Sequence, residues 1–78
     1  MRFSFTVQVS GLSVDTDQYE NALYEAGCDD ALIAVVGDAI FVDFDREALS
    51  FEEAVKSAVL NIEKAGGTVT SIKADHLG

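Results

Sequence analysis

Hydrophobic and polar residues alternate strictly over the first ten positions of the chain. The apolar positions are Phe3, Phe5, Val7 and Val9, and polar residues occupy the positions between them. Because successive side chains of a β-strand point to opposite faces, this pattern predicts a strand with one buried and one open face.

The next segment changes to helical spacing. Asp15 stands at a helix N-cap position and Gln18 follows three residues later, which is a capping-box pattern. The apolar positions then recur every three or four residues, at Tyr19, Ala22, Leu23 and Ala26. Gly27 supplies the stop signal, so the pattern predicts a first helix from about Thr16 to Ala26.

Two β-rich runs, Ala31–Val36 and Ala39–Phe44, flank the dipeptide Gly37-Asp38, which is typical of a tight hairpin. Pairing across this turn puts Ile33 opposite Val42 and Val35 opposite Ile40. The core-facing residues are then Ala31, Ile33, Val35, Ile40, Val42 and Phe44. The open face receives Leu32, Ala34, Val36, Phe41 and Asp43.

A second capping box, Ser50 with Glu53, predicts another helix. Its apolar stripe is Phe51, Val55, Ala58, Ile62 and Ala65, and Gly66-Gly67 ends it. Thr68–Ala74 is predicted as the last strand, and its imperfect alternation indicates an edge position or a bulge.

The predicted element order is therefore β-α-β-β-α-β. Two right-handed split crossovers give an α+β, ferredoxin-like (split βαβ) fold, with a four-stranded antiparallel sheet and two helices on one face. With 78 residues, 49% of them hydrophobic, the chain is long enough for one domain, spanning residues 1–78, with one core.

Composition also bears on the compartment. No apolar run is long enough to span a bilayer, and the amino terminus has a strand pattern without the features of a signal peptide. The single cysteine cannot form an internal disulfide, which secreted domains of this size usually need. We therefore expect a cytoplasmic protein.

The charge of the chain is strongly negative and unevenly distributed. The net charge is −9, and residues 1–45 contribute −8 of it, with nine acidic residues and one base. Direct binding to nucleic acid or to an anionic membrane is disfavoured, because both carry negative charge. A protein partner with a basic surface fits better.

Little in the sequence indicates catalysis, so we expect no enzymatic activity, no cofactor and no metal. Cys28 follows a helix end and precedes two carboxylates, an environment that raises a thiol pKa and disfavours a nucleophile. His76 is expected to be exposed at the chain end. The Asp-x-Asp pairs at positions 15–17 and 43–45 lack the other ligands of a calcium loop.

The candidate partner-binding residues combine the first half's carboxylates with one aromatic side chain of the open face. They are Asp15, Asp17, Glu20, Glu25, Asp29, Asp30, Phe41, Asp43 and Asp45. Such carboxylates can imitate the phosphates of a duplex, although excess negative charge also simply aids solubility. Exposed apolar groups at Phe41, Leu60 and Tyr24 are compatible with a partner surface, or with a homodimer through the open sheet face, although isolated exposed apolar residues are also common where no partner binds.

Three segments resemble the amino-terminal domain of small bacterial helix-turn-helix proteins. They are ALYEAGCDDA at 22–31, DFDREA at 43–48 and SFEEA at 50–54. The resemblance implies a sensing or dimerisation module of a transcriptional regulator. The sequence stops where the DNA-reading helices would begin, so it carries over no DNA recognition.

Two functional hypotheses follow, and a small-molecule-binding regulatory domain is a more distant third. The first is a small bacterial or phage inhibitor of the anti-CRISPR or DNA-mimic type, which occupies a cationic nucleic-acid-binding surface of its target. The second is the regulator module. We favour the inhibitor, because a chain with an initiator methionine and this charge asymmetry needs a role without a DNA-binding segment.

Overall fold

A computed structural model describes residues 1–13 and 18–74. The elements are β1 (Arg2–Ser10), α1 (Gln18–Glu25), β2 (Ala31–Val36), β3 (Ala39–Glu47), α2 (Phe51–Lys64) and β4 (Thr68–Ala74). The four strands form one antiparallel sheet in the order β2-β3-β1-β4. This confirms the predicted ferredoxin-like α+β fold.

The hairpin register follows the prediction. Ile33 pairs with Val42 and Val35 pairs with Ile40 across the Gly37-Asp38 turn. Gly37 has a φ of +63°, the left-handed conformation that this turn requires and that glycine adopts without strain. The chain's local pattern therefore determines which face of β2 and β3 meets the core.

One hydrophobic core lies between the sheet and the two helices. Phe5 and Phe44 stack at its centre, with ring centroids 5.3 Å apart, and Phe51 meets Phe5 edge-on at 5.7 Å. Leu23 of α1 and Ile62 of α2 are fully buried in the same cluster, so both helices cover the same sheet face.

The prediction for the second helix holds with one adjustment. Ser50 Oγ accepts a hydrogen bond from Glu53 N at 3.1 Å, which confirms the second N-cap. The buried stripe of α2 centres on Ala54, Ala58 and Ile62, whereas Phe51 lies at its margin and remains 39% exposed. The first N-cap, predicted at Asp15, lies outside the described residues, as does His76.

β4 is an edge strand and also contains a bulge, as its sequence indicated. Its register with β1 shifts between Gln8, which pairs with Ser71, and Val9, which pairs with Val69. Thr70 is therefore the extra residue.

Within the described ranges, no helix is long and apolar enough to cross a membrane.

Candidate functional site

Four of the predicted aspartates lie together at one end of the sheet. The start of β2 pairs with the second half of β3, so Asp29 and Asp30, which precede β2, lie near Asp43 and Asp45. Asp45 N donates a hydrogen bond to Asp30 O at 3.2 Å. They line an open cleft of about 610 Å³, which we call the acidic cleft. Its lining residues are Ser4, Asp29, Asp30, Ala31, Leu32, Asp43, Phe44 and Asp45.

Asp43 and Asp45 project from the open face of β3, as their alternation with buried Val42 and Phe44 predicted. Thr6 Oγ1 donates a hydrogen bond to Asp43 Oδ1 at 3.3 Å. The Arg2 guanidinium lies 3.6 Å from Asp45, with both side chains more than half exposed. An exposed pair of this kind leaves the carboxylate accessible to water and to a partner.

Asp30 has a different environment, because its carboxylate binds an arginine of the same chain. Arg46 Nε and Nη2 donate to the two carboxylate oxygens at 2.8 Å each, in a bidentate pair. These hydrogen bonds hold the pKa of Asp30 below its ordinary value of 3.8. The negative charge of Asp30 is therefore compensated within the fold, and the exposed charge of the cleft comes from Asp29, Asp43 and Asp45.

Arg46 is the side chain that sequence reasoning missed. It is only 9% exposed, and its remaining N–H groups donate to Gly27 O at 2.9 Å, Ser57 Oγ at 3.0 Å and Asn61 Oδ1 at 2.9 Å. Its guanidinium carbon also lies 4.8 Å from the Phe44 ring centroid. All five N–H donors thus have acceptors, and the residue joins β3, α2 and the α1–β2 connection.

The acidic residues of α1 lie apart from this cleft or beyond the described chain. Glu20 is exposed and lines a neighbouring groove of about 400 Å³ between α1 and β2, together with Tyr24. Glu25 is exposed and lines neither depression. Asp15 and Asp17, the other predicted carboxylates, lie outside the described residues.

Phe41 faces the open side of the sheet, as predicted, but it is half-buried and not fully exposed. Its strand is internal, so Phe41 has Gln8 of β1 on one side and Ala34 of β2 on the other. Neighbouring strands cover part of any aromatic ring at such a position. Tyr24 and Leu60, which the sequence also predicted to be exposed, are exposed in the structure.

Cys28 is almost fully buried in the core cluster. Burial, followed by the nearby carboxylates of Asp30 and Asp29, raises the pKa of its thiol to about 11, although Arg46 acts in the opposite direction. The thiol is therefore protonated at neutral pH, which makes it a poor nucleophile. Across residues 1–13 and 18–74, no group of three or more acidic, histidine or cysteine side chains is arranged to hold a metal ion.

No family model matches the chain, and comparisons with curated proteins and with solved structures give no significant match.

Proposed function

We propose that this protein is a non-enzymatic, acidic protein-binding domain, which inhibits a nucleic-acid-binding target by occupying its cationic surface. The observation that supports the proposal best is the acidic cleft, where Asp29, Asp43 and Asp45 are exposed around one depression. Neighbouring carboxylates of this kind attract the lysine and arginine side chains that otherwise contact phosphates.

The size and total charge of the chain also support mimicry of a nucleic acid. The longest dimension of the protein is 36 Å, over which a duplex presents about 21 negative charges. The chain carries a net charge of −9, so it offers a partial imitation of that charge density. The partner in this proposal is a protein with a basic groove, of the kind inhibited by anti-CRISPR and other DNA-mimic proteins.

Competition with duplex DNA tests this function. The immobilised protein is incubated with a bacterial lysate, bound proteins are eluted in steps of NaCl, and the capture is repeated with duplex DNA as competitor. We expect the immobilised protein to capture nucleic-acid-binding proteins, and duplex DNA to displace them. They should elute below about 0.5 M NaCl, because ionic screening shortens the range of the electrostatic attraction.

Two variants with equal net charge locate the binding surface. The first carries Asp29→Asn, Asp43→Asn and Asp45→Asn, and it leaves Asp30 unchanged because that side chain holds Arg46. The control removes three exposed carboxylates of α2, through Glu52→Gln, Glu53→Gln and Glu63→Gln. We expect the first variant to lose the captured proteins and the control to retain them. Equal capture by the first variant and the unmodified protein would overturn the proposal.

The alternative function, a sensing or dimerisation module of a helix-turn-helix regulator, is supported by the resemblance of residues 22–31, 43–48 and 50–54. The reading frame beyond Gly78 tests it. DNA-reading helices encoded in the same frame would favour this alternative, and an in-frame stop codon would remove it.

A further inference from the structure

The two edges of the sheet differ in how they are protected. β4 has a bulge at Thr70 and carries Lys73, and such features discourage a second strand from pairing with an edge. β2, Ala31–Val36, contains no charged residue and no proline, and its register with β3 runs without a shift. Leu32 and Val36 on this strand are 76% and 66% exposed. β2 is thus an apolar edge strand without a charge, a proline or a bulge.

The hydrogen-bonding groups on this edge follow from the pairing with β3. Asp45 N donates to Asp30 O, so these two residues form a hydrogen-bonded pair of the antiparallel ladder. Hydrogen-bonded pairs alternate along such a ladder, so even-numbered residues of β2 direct their backbone groups toward β3. Ala31, Ile33 and Val35 direct their N–H and C=O groups toward the outer edge. Within the described part of the chain, no strand pairs with that edge.

We propose that β2 pairs antiparallel with β2 of a second copy, across a two-fold axis at Ile33, to form a continuous eight-stranded sheet. About six hydrogen bonds would join the copies, two at the Ile33 pair and two at each of the two pairs of Ala31 with Val35. A two-fold axis normal to the sheet keeps the open faces on one side and the helices on the other.

The sequence of β2 favours pairing with itself in this register. With the axis at Ile33, Ile33 lies opposite its own copy, Ala31 lies opposite Val35 and Leu32 lies opposite Ala34. Outside the central isoleucine pair, each larger side chain therefore meets an alanine. Two neighbouring registers use the same backbone groups, but each pairs only two of the three outward-facing residues within β2: Ala31 with Ile33 when the axis is at Leu32, and Ile33 with Val35 when it is at Ala34. The register at Ala34 also brings Asp30 opposite Asp38 of the other copy, and directly opposed like charges destabilise a strand pair.

The strength of the contact follows from its size and charge. A six-residue strand is about 20 Å long, and a sheet is about 10 Å thick, so the contact is well below the roughly 800 Å² per partner of a standard interface. Tyr24, which is 65% exposed and lines the groove beside β2, adds apolar surface on the helix side. Each copy carries a net charge of −9, so the copies repel. We therefore expect a transient dimer with a dissociation constant of about 10 µM to 1 mM, which tightens as salt rises.

Variants of Val35 test the proposal. Val35→Pro removes an N–H that points away from β3, and proline is tolerated at such edge positions. Val35→Ala is the matched control, because it shortens the side chain and keeps the N–H. Sedimentation velocity at 10 µM to 1 mM, in 50 mM and 500 mM NaCl, measures the association. We expect at least tenfold weaker dimerisation for Val35→Pro than for Val35→Ala.

Hydrogen exchange gives a second readout, which needs no variant. At high protein concentration the amides of Ala31, Ile33 and Val35 should gain protection, whereas Leu32 and Ala34 are already bonded to β3. Two results would overturn the proposal: a monomer at 1 mM with unchanged exchange at these three amides, or equal dimerisation by the folded proline and alanine variants. Capture of a DNA-displaceable target by a strictly monomeric chain would refute the dimer and leave the proposed function standing.

Discussion

Replacement of Arg46 by alanine tests the internal hydrogen-bond network that supports the acidic cleft. The substitution removes five hydrogen bonds, to Asp30, Gly27, Ser57 and Asn61, from a side chain that is 9% exposed. Asp30 would then keep its carboxylate without the arginine, in a partly buried position. Removing one partner of a buried ion pair costs about 3–5 kcal/mol of unfolding free energy.

For Arg46→Ala we expect a loss of unfolding free energy near the lower end of this range, because the Asp30 side chain is 34% exposed and water can reach the carboxylate after the substitution. A chain of 78 residues has a total stability of about 4–12 kcal/mol. A loss of about 3 kcal/mol would lower the melting temperature by about 12–24 °C. Urea unfolding followed by circular dichroism measures the free energy, and a thermal scan measures the midpoint.

The chain contains a matched control in its other arginine–aspartate pair. Arg2 and Asp45 are 3.6 Å apart and their side chains are 62% and 59% exposed, so Arg2→Ala should cost less than about 1 kcal/mol. The two substitutions remove the same charge from the same sheet. If Arg46→Ala destabilises the protein no more than Arg2→Ala does, the structural role assigned to Arg46 is wrong.

Three further predictions concern pH and packing. Arg46 lowers the pKa of Asp30 in the folded state, so the stability that this pair contributes should be present above pH ~4 and be lost as the pH falls through the lowered folded pKa. In urea titrations at acidic pH, Asp30→Asn should make the unfolding free energy depend less on pH. The folded thiol of Cys28 has a pKa of about 11 against an ordinary 9.0, so its contribution should be lost between pH 9 and 11, and the difference between Cys28→Ala and the unmodified protein measures it. Gly67→Ala should cost about 1–3 kcal/mol in the same unfolding assay, because the added Cβ would lie 2.7 Å from Val9 Cγ1.

The fold could be predicted because its determinants are local. The strict alternation of β1, the two-residue turn at Gly37-Asp38 and the N-cap at Ser50 each involve residues within a few positions of one another. Such signals fix the faces of the strands and the start of the second helix without knowledge of the tertiary structure. The sheet order then follows from the connection rules for split βαβ units.

The role of Arg46 depends on residues far apart in the chain, and for that reason the sequence pattern did not reveal it. Its acceptors lie 11 to 19 positions away, on the α1–β2 connection and on α2. One signal was present, because Arg46 continues the core-facing series Ile40, Val42, Phe44. A charged residue in that series predicts a buried ion pair, and nearby Asp30 is a suitable partner.

Phe41 shows a different limit of prediction from sequence, which concerns the extent of burial of a side chain. Alternation correctly assigned it to the open face, but the extent of its burial depends on whether β3 is an internal or an edge strand. Strand order is a property of the whole fold, so an apolar side chain on an open face cannot be ranked as a contact residue from its own strand alone. By the same reasoning, Leu32 is a better candidate for a contact residue than Phe41, because it lies on an edge strand and is largely exposed.

Leu32 connects the two proposed surfaces, because it lines the acidic cleft and also belongs to the β2 edge. Salt acts on these surfaces in opposite directions. Screening weakens the attraction between the cleft carboxylates and a basic target, and it also weakens the repulsion between two copies that each carry −9. Target binding should therefore dominate at low ionic strength and self-association at high ionic strength. A contact that strengthened with salt at the cleft, or weakened with salt at the β2 edge, would be inconsistent with this division between the two surfaces.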